Sequence, residues 1–82
     1  MLNFEPEGAG YFVAEHYHEA LQYSVIYIIE KYDRSDFSAW QGRALVGHDI
    51  VAQCELMPAF SDVVDWAEHT LAEIDAGRLW TL

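Results

Sequence analysis

From Leu21 to Asp33 the chain is dominated by tyrosines and β-branched residues, with Tyr23-Ser-Val-Ile-Tyr-Ile-Ile29 at the centre. Such side chains suit a pleated surface, and the run predicts a strand, although Leu21, Val25, Ile28 and Tyr32 also trace a helical stripe. Asp33-Arg-Ser-Asp36 then breaks a segment ending in Tyr from one starting in Phe, as a β-hairpin turn does. Folding back about Arg34 and Ser35 pairs Tyr32 with Phe37, Ile29 with Trp40 and Tyr27 with Gly42, where an aromatic ring has room over the glycine. One face collects Val25, Tyr27, Ile29, Trp40 and Ala44, the expected core. The other carries Ile26, Ile28, Tyr32 and Phe37 among Ser24, Glu30, Gln41 and Arg43, which is more apolar than an ordinary solvated surface. Those four apolar side chains are therefore expected to be covered or to form a self-association surface in a homodimer.

After a turn at Gly47-His48-Asp49, Ile50 to Leu56 alternates well enough for a third strand. Pro58 ends it. Ser61, followed by Asp62 and Asp65, predicts a helix start with a hydroxyl cap and early acids, running to Asp75 or Ala76 and stopped by Gly77. Tyr11 to Leu21 fits either a strand or a short helix. The expected fold is α+β: a single domain over residues 1–82, with a small antiparallel sheet of three to four strands and a C-terminal helix packed on one face.

The charge then narrows the partners. Fourteen acidic residues against four basic ones give a formal charge of -10 over 82 residues, yet 52% of the chain is hydrophobic and 15% aromatic. Acidic disordered tails lack that apolar surface. The field of such a chain repels phosphate backbones and anionic lipid, so the expected partner is a basic protein or nucleoprotein complex, with no direct nucleic-acid contact. No basic leader region opens the sequence and no apolar run approaches the ~18 residues of a membrane span, so a soluble, cytoplasmic protein is expected. The one cysteine, Cys54, has no basic neighbour and reads as a small buried hydrophobe.

Winding the last helix at about 100° per residue places Val63, Val64, Ala67, Leu71 and Ile74 on one stripe. Asp62, Asp65, His69 and Glu73 fall opposite, with Trp66 at the edge of the acidic face. Together with Glu68 they form the candidate partner-binding site, carboxylates that imitate phosphates around an aromatic anchor; the alternative is a solvated acidic face with Trp66 folded over the sheet edge. The only metal-ligand chemistry lies in Glu15-His-Tyr-His-Glu19; as a strand it points His16 and His18 to one side, as a helix it groups Glu15, His18 and Glu19. Neither spacing is a metal motif, and nothing in the sequence brings His48, Asp49 or His69 to it, so no metal ligand and no cofactor is assigned, and a metal-binding protein built on this His/Glu cluster stands as a further alternative function. With no nucleophile elbow, phosphate loop or Cys-x-x-Cys pair, no catalytic residue is assigned and the chain is not expected to be an enzyme.

A small acidic α+β chain rich in aromatics resembles the inhibitor proteins of phages and mobile elements, of anti-CRISPR and anti-restriction type. The resemblance lies in size, charge and layout across the whole chain. It implies an inhibitor of a basic nucleic-acid-binding surface, touching it through Asp62, Asp65, Trp66, Glu68 and Glu73. From Tyr23 to Ile74 the layout is also similar to HicB-type antitoxins, whose Leu-Pro-Gly turn is replaced here by Val46-Gly-His-Asp, with no DNA-binding tail.

Overall fold

A computed structural model describes residues 2–33 and 36–78. Five strands, β1 (Glu5–Gly8), β2 (Tyr11–His18), β3 (Tyr23–Asp33), β4 (Ser38–Val46) and β5 (Asp49–Gln53), precede one helix, α1 (Phe60–Asp75). They form a single antiparallel meander in chain order, with α1 on one face. The fold is α+β, with five strands where three to four were expected.

The extra strand comes from the N-terminal segment. Tyr11 to His18 is a strand, pairing with β3 from Tyr11 opposite Glu30 to His18 opposite Tyr23. β1 adds an edge, with Glu5 opposite Val13. Its Pro6 has no N–H to donate and its glutamates oppose sticking to other strands, so Glu5-Pro-Glu-Gly suits an edge. At the far side β5 ends at Gln53, three residues short of the expected Leu56, and a single bridge joins Met57 to Trp40.

The β3/β4 register differs from the expected one by two residues: Tyr32 lies opposite Ala39, Ile29 opposite Gly42 and Tyr27 opposite Ala44. The pairing closes at Asp33 and Ser38, which puts exposed Phe37 in the connection and not opposite Tyr32. Arg34 and Ser35, about which the fold-back was expected, lie outside the described residues. Because strand side chains alternate with period two, a two-residue slip leaves every side chain on its expected face. Val25, Tyr27, Ile29 and Ala44 are buried beneath α1, with Trp40 half-buried beside them.

The helix presents Val63, Ala67, Thr70 and Ile74 to that face. It starts at Phe60, whose ring stacks edge-on against Phe12 (centroids 4.9 Å apart) and Trp40 (5.1 Å). That aromatic packing starts the helix two residues earlier than expected, so the N-cap is Ala59 in place of Ser61, and Ser61 is exposed within the first turn. At the other end Gly77 has φ +73°, its N–H bonds to the Ile74 carbonyl, and the Arg78 N–H bonds to the Glu73 carbonyl. This Schellman closure is the stop expected at Gly77.

Candidate functional site

The helix residues expected to meet a partner point in several directions. Trp66 is packed inward: a Cβ added at Gly42 would lie 2.6 Å from Trp66 Cζ3 and 2.6 Å from Val63 Cγ1. The glycine does seat an aromatic ring, but the ring is Trp66 from the helix. The buried stripe runs Val63, Ala67, Thr70, Ile74, and Trp66 lies one helical step to its side, close enough to fill the hollow over β4. Glu68 turns to the other flank and accepts the Leu2 backbone N–H at 2.6 Å. Glu73 accepts two hydrogen bonds from the Arg78 guanidinium, at 2.7 and 3.2 Å, and lies 3.4 Å from His69 Nε2. The Arg78 bonds hold the Glu73 carboxyl below the usual carboxylate range. Asp62 and Asp65 remain exposed, with no ion pair among the described residues.

The sheet face away from α1 is different. Cross-strand neighbours build it in rows, with Glu5, Val13, Ile28, Arg43 and Gln53 in one and Glu15, Ile26, Leu45 and Ile50 in the next. Tyr11, Glu30 and Gln41 form a third row, and Tyr32 beside Ala39 a fourth. Ile26 and Ile28 are half-buried by their neighbours alone, while Ile50 is 51% and Tyr17 55% exposed. The N-terminal segment extends the sheet edge and sends Leu2 and Phe4 to the helix side, so among the described residues nothing covers this face. At its centre Arg43 donates to Glu30 at 2.9 Å, and the Tyr32 hydroxyl donates to the same carboxylate at 3.1 Å. Burial, and then that bond, raise the Tyr32 hydroxyl pKa.

No family model, curated protein or solved structure matches the chain. Its own geometry and charge therefore carry the functional reading.

Basic side chains of the described residues are already paired. Lys31, Arg43 and Arg78 each sit against a carboxylate, of Asp33, Glu30 and Glu73 respectively. The carboxylates left over include Glu5 and Glu15, at the β1/β2 side of the open face, and Asp62 and Asp65 on α1.

A third constellation lies at the opposite end of the helix side. His18 is fully buried, with Nδ1 2.7 Å from Asp75 Oδ1 and Nε2 2.8 Å from the Tyr27 hydroxyl. Burial pushes the Tyr27 hydroxyl far above its ordinary pKa, and the carboxylates of Asp75 and Glu68 add to the shift. The hydroxyl can donate to Nε2 or accept from it, while the Asp75 carboxylate can only accept, so an N–H at Nδ1 donates to Asp75. The strand periodicity of β2 puts His16 and His18 on one side, as a strand reading of that segment requires, and excludes the helical grouping with Glu15. Sequence reasoning missed Asp75 and Tyr27 as their neighbours. Asp75 lies 57 positions from His18, and no local signal links the two.

Proposed function

We propose that the chain is an acidic binding protein that docks on a basic surface of a protein or nucleoprotein partner, of the kind that otherwise holds nucleic acid, and inhibits it by occupation. The open face of the sheet makes the contact. One observation carries this reading: Val13, Ile26, Ile28, Leu45 and Ile50 form a continuous apolar patch that none of the described residues covers, bordered by Glu5 and Glu15. Apolar side chains beside tyrosines, with the paired Arg43 and Glu30 among them and further acids at one edge, give the mixed apolar and polar surface that protein interfaces use. The occupant is a basic partner and not a second copy, because two copies face to face would oppose a charge of -10 with another -10. The acids of α1 then serve to speed the encounter.

The test uses a partner captured from the native host and then purified. Ile26→Ser/Ile28→Ser should weaken its affinity by roughly thirtyfold, the loss of one hot spot, and the wild-type affinity should fall as salt rises. An unchanged affinity in this variant, with circular dichroism showing an intact fold, would overturn the assignment. So would sedimentation of the chain alone as a dimer that the same variant dissociates.

A further inference from the structure

His16 and His18 stand two residues apart on β2, and their imidazoles meet edge to face with centroids 4.7 Å apart. The last turn of α1 brings Asp75 onto them. One ligand atom from each of His16, His18 and Asp75 lies within 4.8 Å of the other two. We propose that these three residues form a binding site for a divalent transition-metal ion of the zinc class.

The donor set is the first argument. Two imidazoles and one carboxylate suit zinc, cobalt or nickel, whereas magnesium and calcium call for shells made of oxygen. Metal–ligand bonds of about 2.0–2.1 Å put the donors of a tetrahedral site about 3.3 Å apart. His18 Nδ1 and Asp75 Oδ1 are 2.7 Å apart and the three ligand atoms lie within 4.8 Å of one another, so small side-chain shifts reach that geometry. The Asp75 side chain is 46% exposed and His16 only half-buried, which leaves both free to make them.

The surroundings are the second argument. His18 Nε2 already faces the Tyr27 hydroxyl at 2.8 Å, the outer-shell partner that orients a metal-bound imidazole. With the ion on Nδ1 in place of the hydrogen shared with Asp75, the ring proton resides on Nε2 and is donated to the Tyr27 oxygen. Asp75 is the last residue of α1, where the partial negative charge of the helix C-terminus favours a cation. Beside the three residues an open depression of about 430 Å³ is lined by His16, Tyr17, Glu19, Ala20 and Asp75. It gives an ion a route in and offers the fourth position to water or to the Glu19 carboxylate.

The test titrates zinc onto the untagged full-length chain and follows the thermal unfolding midpoint. Cobalt is substituted to read the visible absorption of a four-coordinate ion, and magnesium at the same concentration is the control. His18 is too buried to remove safely, so His16→Gln and Asp75→Asn are the variants. Zinc at about 100 µM should raise the wild-type midpoint and magnesium should not. Either variant should bind zinc at least about tenfold more weakly and lose the cobalt absorption. An unmoved wild-type midpoint overturns the proposal. A zinc shift of equal size in both variants also overturns it, because the ion then sits on other carboxylates.

Discussion

Strand β3 feeds both faces of the sheet from alternate residues, and the two sets are nearly equal in apolar character. Val25, Tyr27 and Ile29 are buried beneath α1, while Ile26, Ile28 and Tyr32 look the other way. The faces differ in what stands opposite. Across the sheet Tyr27 is flanked by Ala14 and Ala44, and Ile29 by Phe12 and Gly42, so the covered face has small residues on which a helix can settle. On the open face Ile28 is flanked by Val13 and Arg43, and Ile26 by Glu15 and Leu45. That surface mixes charge with apolar groups, which suits a removable partner better than a permanent element. The comparison shows that hydrophobic content alone does not decide which face becomes core.

Substitutions can break this contrast, and the largest effect is expected on the covered side. Trp66→Ala should lower the unfolding free energy by about 3 kcal/mol in urea denaturation, since it empties the hollow over Gly42. A partner-binding Trp66 would leave stability nearly unchanged. Gly42→Ala should cost about 1–3 kcal/mol in the same assay, because its new Cβ would press on Trp66 and Val63. Tyr27→Phe should cost about 1–2 kcal/mol by leaving the buried His18 ring nitrogen without its partner. On the open face, Ile28→Thr should change stability by less than about 1 kcal/mol, as its neighbours only half bury it.

The smallest effect concerns pH. The folded-state pKa of Glu73 is depressed by Arg78, so the stability it contributes is present above the ordinary glutamate pKa and lost as pH falls through the depressed one. The pair is exposed, so thermal scans of wild type and Arg78→Gln should differ only slightly at neutral pH and converge in acid.

Much of the fold was legible in the sequence because alternation is a local property. Tyr23 to Ile29 and Trp40 to Ala44 reveal their faces without a correct register, and the two-residue error in pairing did no harm. Gly77 marks the helix end by its own backbone freedom. β1 was not legible, since Glu5-Pro-Glu-Gly has neither alternation nor strand-forming residues and is held only by its neighbour β2. The direction of Trp66 stayed open, between the acidic face and the sheet, for a related reason. On a helical wheel it lies between the stripe and the acids, and only the hollow at Gly42 decides its direction. The tertiary meeting of His16, His18 and Asp75 depends on the length of α1 and the placement of β2, neither of which has a local signature.

The most direct test of the central claim, that the open sheet face and not the helix holds the partner, compares two variants against one purified partner. Dissociation constants are measured for wild type, Ile26→Ser/Ile28→Ser and Asp62→Asn/Asp65→Asn at a single ionic strength. The sheet variant should lose roughly thirtyfold in affinity and the helix variant less than about threefold, the latter confined to the association rate. A large loss in the helix variant with the sheet variant unaffected would contradict the claim.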